Sequence, residues 1–138
     1  GRLAVSFMNL IFLRWKASFR SARHAVQMQE AEVNVEDLSP QDVAAGIAAG
    51  RYLLVDVREP NEVQAEAYPD SVVLPLSGFD PSDLPDPKGR EVVFACRSGR
   101  RSVTASQAAQ AAGLPYNKHL AGGILAWKAA GLPTRADG

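Results

Sequence analysis

The sequence predicts an α/β domain built on a small parallel sheet with helices on both faces. Three observations predict it. Residues 52–57 are nearly all apolar, as expected of a central parallel strand buried on both faces, and 91–95 form a second strand candidate. Strand candidates alternate with helical segments that carry their own start and stop signals, the pattern of right-handed crossovers in a parallel sheet. Finally, 91–95 runs into a polar, cationic loop that opens an alanine-rich helical pattern over 103–112. A strand feeding a tight loop and a helix start is how such sheets gather backbone amides around an anion.

The elements follow in order. Residues 1–29 carry Arg2, Arg14, Lys16, Arg20, Arg23 and His24, with no acidic residue before Glu30. Their apolar part, 3–13, is broken by Ser6 and Asn9 and is shorter than the ~20 residues that span a bilayer. As a helix it would bring Phe7, Leu10, Ile11, Arg14 and Trp15 to one face. Three readings stay open: upstream residues ahead of a start at Met8 or Met28, a flexible basic extension, or a surface helix touching a membrane or partner. The expectation is a leader without a catalytic role, followed by one domain over 30–138.

Val33 to Val35 is a candidate edge strand. Ser39 caps a helix that has Pro40 in its first turn and Asp42 near its positive end. Val43, Ala44 and Ile47 face the core, and Gly50 stops the helix. Asp56 and Arg58 fall near the end of the 52–57 strand, and a short helix is expected from Pro60 to about Ala67. Residues 72–74 make a short strand ended by Pro75. With three prolines and Gly89, 80–90 is largely loop. The helix after the cationic loop starts at Arg101 or Ser102 and stops at Gly113 before Leu114-Pro115. Residues 116–120 form the last strand, Gly122-Gly123 a tight turn, and 124–130 a short helix capped by Gly131.

Composition narrows the function. At 138 residues the chain suits one core. Fifteen basic and fifteen acidic side chains cancel, so no general attraction to nucleic acid is expected. The single cysteine excludes an internal disulfide framework and a cysteine-based zinc site, and leaves no second thiol to resolve an oxidised Cys96. An exposed reactive thiol fits a reducing compartment, so a cytoplasmic setting is expected.

The chemistry gathers in Phe94-Ala95-Cys96-Arg97-Ser98-Gly99-Arg100-Arg101-Ser102. A cysteine after a strand is usually a small buried apolar residue. Here it falls at the C-terminal edge of the sheet, where open α/β sheets bind ligands, and the residues after it are polar and cationic. Gly99 lets the backbone curl with its amides inward. The helix start and the arginines favour the thiolate, so Cys96 is read as a nucleophile of lowered pKa. Arg100 and Arg101 alone would be an ordinary solvated pair; beside Cys96 they are candidate anion ligands.

The loop Cys-Arg-Ser-Gly-Arg-Arg-Ser resembles the active-site loop of rhodanese-family sulfurtransferases. Three more segments match in order: Leu54-Val55-Asp56-Val57-Arg58-Glu59, the Leu74-Pro75-Leu76 turn, and Leu120-Ala121-Gly122-Gly123-Ile124-Leu125-Ala126-Trp127 with Ala130-Gly131-Leu132-Pro133. The likeness runs from about Val33 to Thr134. It implies a rhodanese-like fold of about five parallel strands with helices on both faces. It implies a Cys96 nucleophile, an anion cradle of Arg97, Ser98, Gly99, Arg100 and Arg101, and supporting roles for Asp56 and Arg58. The expected reaction moves sulfane sulfur from thiosulfate or a similar anionic donor to a thiol or cyanide through a Cys96 persulfide. No cofactor or metal is needed, and thioredoxin or a cysteine desulfurase are candidate protein partners. Trp127 is expected in the core.

One segment departs from the family. Where it usually shows Gly-His-Ile and Pro-Gly-Ala, this chain has Glu66-Ala67-Tyr68-Pro69-Asp70-Ser71. Neither His24 nor His119 replaces the missing histidine, and His119 is expected to be structural. Three rivals remain. A phosphatase or arsenate reductase of related fold needs Cys, five residues, then Arg; here the sixth position is Ser102, and Arg101 falls one residue early. A persulfide carrier would keep Cys96 and use thiosulfate poorly. A regulatory module with a dead site is disfavoured by the intact cysteine.

Overall fold

The computed structural model describes residues 34–136. The leader expected over 1–29 lies outside them. Five strands and four helices alternate: β1 (Glu36–Leu38), α1 (Pro40–Ala48), β2 (Tyr52–Asp56), α2 (Pro60–Ala65), β3 (Val72–Val73), β4 (Glu91–Ala95), α3 (Arg101–Ala111), β5 (Lys118–Leu120) and α4 (Gly123–Ala129). The strands form one sheet in the order β1-β5-β4-β2-β3, and every pairing is parallel. Single-turn 3₁₀ segments at Leu76–Gly78 and Pro81–Asp83 lie in the long connection to β4.

The strands divide their side chains by parity. Leu54, Val93, Ala95 and Leu120 join Val43 of α1 and Ile124 and Trp127 of α4 in one core layer. Leu53, Val55, Val57, Val92, Phe94 and Cys96 join Ala105 and Ala109 of α3 in the other. The 76–84 connection closes this second layer with Leu76, Phe79 and Leu84, Phe79 meeting Phe94 edge-on at 5.9 Å. Both faces of β2 and β4 are therefore covered, which is why these strands read as unbroken apolar runs.

β1 falls at Glu36–Leu38 rather than 33–35. The sequence reading followed the two valines, but the strand is set by its pairing with β5: Glu36 lies opposite Lys118, Asp37 opposite His119 and Leu38 opposite Leu120. An edge strand this short is fixed by its neighbour and not by its own propensity. The other elements lie within a few residues of the expected bounds. Ser39 Oγ accepts the Asp42 amide at 3.1 Å, and Pro40 opens α1.

The order of the strands places a site. From β2 the chain moves outward to β3, whereas from β4 it moves the other way to β5. The crevice beyond the C-terminal ends of β2 and β4 is therefore a topological switch point, where open α/β sheets take up ligands. Asp56 ends β2, and Cys96 follows Ala95 at the end of β4. Among the described residues no helix is long and apolar enough to cross a membrane.

Candidate active site

Cys96 continues the alternation of β4, so its side chain turns toward α3 and not outward. Its Sγ accepts the Gly99 amide at 3.1 Å and the Ser102 amide at 3.4 Å, and lies 3.5 Å from Ser102 Oγ. The loop 97–100 closes a ring of backbone N–H groups around the sulfur, at the positive end of α3. Gly99 holds φ +99°, a left-handed conformation that suits glycine, and a Cβ on it would press against the Gly122 backbone. The loop is pinned from below by α4: the Ile124 amide donates to the Cys96 carbonyl at 2.9 Å and the Leu125 amide to the Arg97 carbonyl at 3.2 Å. That contact requires Gly123, where a side chain would collide with the Arg97 and Cys96 carbonyls. The Gly-Gly turn and the cysteine loop are thus one fitted unit.

Two expectations about Cys96 need correction. The thiol was expected to be exposed; it is fully buried, at 0%, because strand parity sends it under the helix. Its pKa was expected to be lowered by the helix start and the arginines; the helix start does contribute, through the Ser102 amide, whereas hydrogen bonds take the part expected of the arginines. Burial pushes the thiol up, and this is outweighed by the Ser102 hydroxyl and the amides of Ser102, Gly99 and Ser98, which together hold it below its ordinary value. Hydrogen bonds from the loop and helix start favour ionisation of this thiol, more directly than any guanidinium.

The cationic side chains divide. Arg97, Ser98 and Arg100 are exposed around the loop. Arg101 is not an open fork: its Nη1 and Nη2 donate to the two oxygens of Glu62 at 2.7 and 2.8 Å. This hydrogen-bonded arginine holds the Glu62 carboxyl down at about 2, and Glu62 also accepts the Glu59 amide at 3.0 Å at the start of α2. The family-derived picture of Arg101 as a ready anion ligand therefore meets an arginine already paired bidentately.

Asp56 and Arg58 form a buried pair. Asp56 Oδ1 accepts the Arg58 amide and Nε at 3.0 Å, and Oδ2 accepts Nη2 at 2.8 Å. Nη2 also donates to the Glu66 carbonyl at 2.9 Å, so the pair ties the end of β2 to the end of α2. The Arg58 guanidinium lies 5.4 Å from the ring centre of Tyr68. Tyr68 donates its hydroxyl to the Cys96 carbonyl at 2.7 Å and meets Trp127 edge-on at 5.4 Å.

Sequence reasoning gave no site role to four side chains that the structure brings to the site: Tyr68, Glu62, Ser102, which it named only as part of the loop, and His119, which it expected to be structural. Tyr68 sits in the segment that departs from the family, so the resemblance gave it no role. Ser102 and His119 are polar residues on buried faces of α3 and β5, a detectable signal once strand parity is known.

A family model for the rhodanese-like domain matches residues 39–130, well over half of the chain. The chain belongs to the rhodanese-like domain family. An uncharacterized protein of Synechocystis sp. is 50% identical over 82 residues, which are 59% of this chain and 46% of that protein, so the chain spans about half the length of this relative. A protein of Allochromatium vinosum named sulfurtransferase is 41% identical over 81 residues, 59% of this chain and 76% of that protein. Among solved structures, a rhodanese-related protein of Thermoplasma volcanium superposes with a TM-score of 0.63 at 26% identity, over 72% of this chain and 97% of that one.

Proposed function

We propose that the protein is a sulfurtransferase that carries sulfane sulfur on Cys96 as a persulfide, with thiosulfate or a similar anionic sulfur compound as donor. The observation that carries this reading is the amide ring: Sγ accepts the Gly99 and Ser102 amides at the sheet's switch point. The sulfurtransferase name of the Allochromatium relative supports it.

The thiolate attacks the outer sulfur of the donor. A Cys96 S–S bond forms, the S–S bond of thiosulfate breaks, and sulfite leaves with the electron pair. An acceptor thiolate or cyanide then attacks the outer sulfur of the persulfide and restores the Cys96 thiolate. Both states of Cys96 are monoanions, so the same amides stabilise each of them. The exposed Arg97 and Arg100 attract the anionic donor, and Arg101 adds to the field from its pair with Glu62. Since Sγ is buried, loading needs the 97–100 loop to open by about the width of one sulfur atom, a motion within the range of loop fluctuations. Acceptors include small thiols and reduced thioredoxin; a cysteine desulfurase is an alternative donor. The ring suits one sulfur atom better than a tetrahedral phosphate, because α3 begins at Arg101, before the sixth position of the loop is reached.

Intact mass after brief exposure to thiosulfate tests the reading. One added sulfur atom is expected on Cys96, lost on adding cyanide or reduced thioredoxin and absent from Cys96→Ser, whose circular dichroism stays that of the parent. Sulfur loading that persists in Cys96→Ser ends the proposal. Loading by a cysteine desulfurase but not by thiosulfate would make the protein a persulfide carrier.

A further inference from the structure

Beyond Ser102 the hydrogen bonds continue into the sheet. Ser102 Oγ lies 2.8 Å from His119 Nδ1, and His119 Nε2 lies 2.6 Å from Asp37 Oδ1. Three elements build this line. His119 on β5 stands opposite Asp37 on β1 in the parallel register, and α3 lays Ser102 over the same face of the sheet. Ser102 and His119 are buried, at 0% and 3%, while Asp37 opens to solvent. Cys96, Ser102, His119 and Asp37 are thus joined end to end.

The donor inventory allows the line two arrangements. A carboxylate only accepts, so His119 Nε2 must carry its hydrogen toward Asp37. With Cys96 a thiol, Sγ–H donates to Ser102 Oγ, and the Ser102 hydroxyl donates to an unprotonated Nδ1. With Cys96 a thiolate, the Ser102 hydroxyl turns to donate to Sγ, and Nδ1–H donates to Ser102 Oγ. The two differ by one proton: Sγ gives its proton to Ser102 Oγ as the Ser102 proton passes to Nδ1. No atom is gained or lost, and the product is a thiolate and an imidazolium held by Asp37.

We propose that Asp37, His119 and Ser102 form a proton relay that takes the Cys96 proton into the sheet and holds it on His119 as an ion pair with the thiolate. The proposal rests on Cys96 being the sulfur-carrying nucleophile. It makes His119 a positioning and proton-holding residue, acting through Ser102 without touching the substrate. The thiolate then forms inside a closed site without releasing its proton to bulk water. The other charged or titratable groups around the line are Arg101, clasped by Glu62; Tyr68, on the Cys96 carbonyl; the Asp56–Arg58 pair; and Lys118, bound to Glu36 and Glu91. Among the described residues, the side-chain hydrogen bonds that reach Sγ lead through Ser102 to His119 and, beyond it, to Asp37.

His119→Asn tests the relay. The asparagine amide can keep the hydrogen bond to Ser102 but cannot hold a proton. The pH dependence of iodoacetamide alkylation reads the thiolate without any sulfur transfer, so its outcome is separate from that of the transferase reading. The expected result is a rise of the thiolate midpoint by about one pH unit, a roughly tenfold loss of reactivity below it, with a smaller rise in Asp37→Asn. An unchanged midpoint in a folded His119→Asn overturns the relay and leaves the amide ring as the whole cause. Should His119→Asn not fold, nitrogen NMR of the intact protein decides. The imidazole signal of His119 should be that of an imidazolium where Cys96 is a thiolate, and should shift in Cys96→Ser. A neutral imidazole under those conditions overturns the proposal.

Discussion

Tyr68 shows how one side chain can hold a site it never enters. It is fully buried, with its hydroxyl on the Cys96 carbonyl at 2.7 Å and its ring between Trp127 and Arg58. Burial pushes its phenol well above the ordinary tyrosine value, so it stays a donor across the working range of pH. The Cys96 carbonyl also accepts the Ile124 amide at 2.9 Å, so losing the hydroxyl does not orphan it. Tyr68→Phe should therefore cost about 1 kcal/mol, a fall in melting temperature of roughly 4–8 °C, with only a few-fold loss of sulfur transfer. A thermal melt superimposable on the parent would mean that the bond contributes nothing beyond its packing.

At the scale of elements, α2 and α3 are joined by Glu62 and Arg101. The pair is part-buried, 24% and 33% exposed, and bidentate. Arg101 lowers the folded-state pKa of Glu62 from 4.5 to about 2. A depressed carboxyl contributes stability that is fully present above its unfolded value and is lost as pH falls through the folded one. The contribution should hold from neutral pH down to about 4.5 and fade toward pH 2. Solvent screening limits it to roughly 1 kcal/mol. Glu62→Gln should thus lower stability at pH 7, measured by urea unfolding, and the gap should close between pH 4.5 and 2. A gap independent of pH would assign the loss to packing. The same variant leaves the Arg101 charge uncompensated, so the Michaelis constant for thiosulfate should fall a few-fold; an unchanged value would separate Arg101 from the donor.

At the scale of the molecule, the two core layers and five strands of the described residues lie within 34–136, and the family match begins at residue 39. We expect a chain starting at Glu30 to fold cooperatively and to load sulfur at the rate of the full chain. Loss of loading with retained folding would give residues 1–29 a part in the reaction. The switch point between β2 and β4 explains the placing of the parts. Two strands that leave in opposite directions open a crevice, and each ends there on a residue that orders the site, Asp56 on one and Cys96 beyond the other.

The alternation of strand and helix, the two buried central strands, the caps of α1 and the family were all legible in the chain, because each rests on local periodicity or on contiguous residues. The cysteine loop was legible for the same reason: its amides, its glycine and its helix start are consecutive. Strand β1 was misplaced, since three residues at a sheet edge are fixed by β5 and carry little signal of their own. The burial of Cys96 and the capture of Arg101 by Glu62 also escaped, the latter spanning 39 residues. The line from Cys96 to Asp37 lay further out of reach, since Asp37 and His119 are 82 residues apart. By itself the sequence determined the class of fold and the loop that holds Cys96, through interactions between near neighbours. Only the tertiary structure decided what surrounds that sulfur, because register across a parallel sheet brings together side chains that no local pattern links.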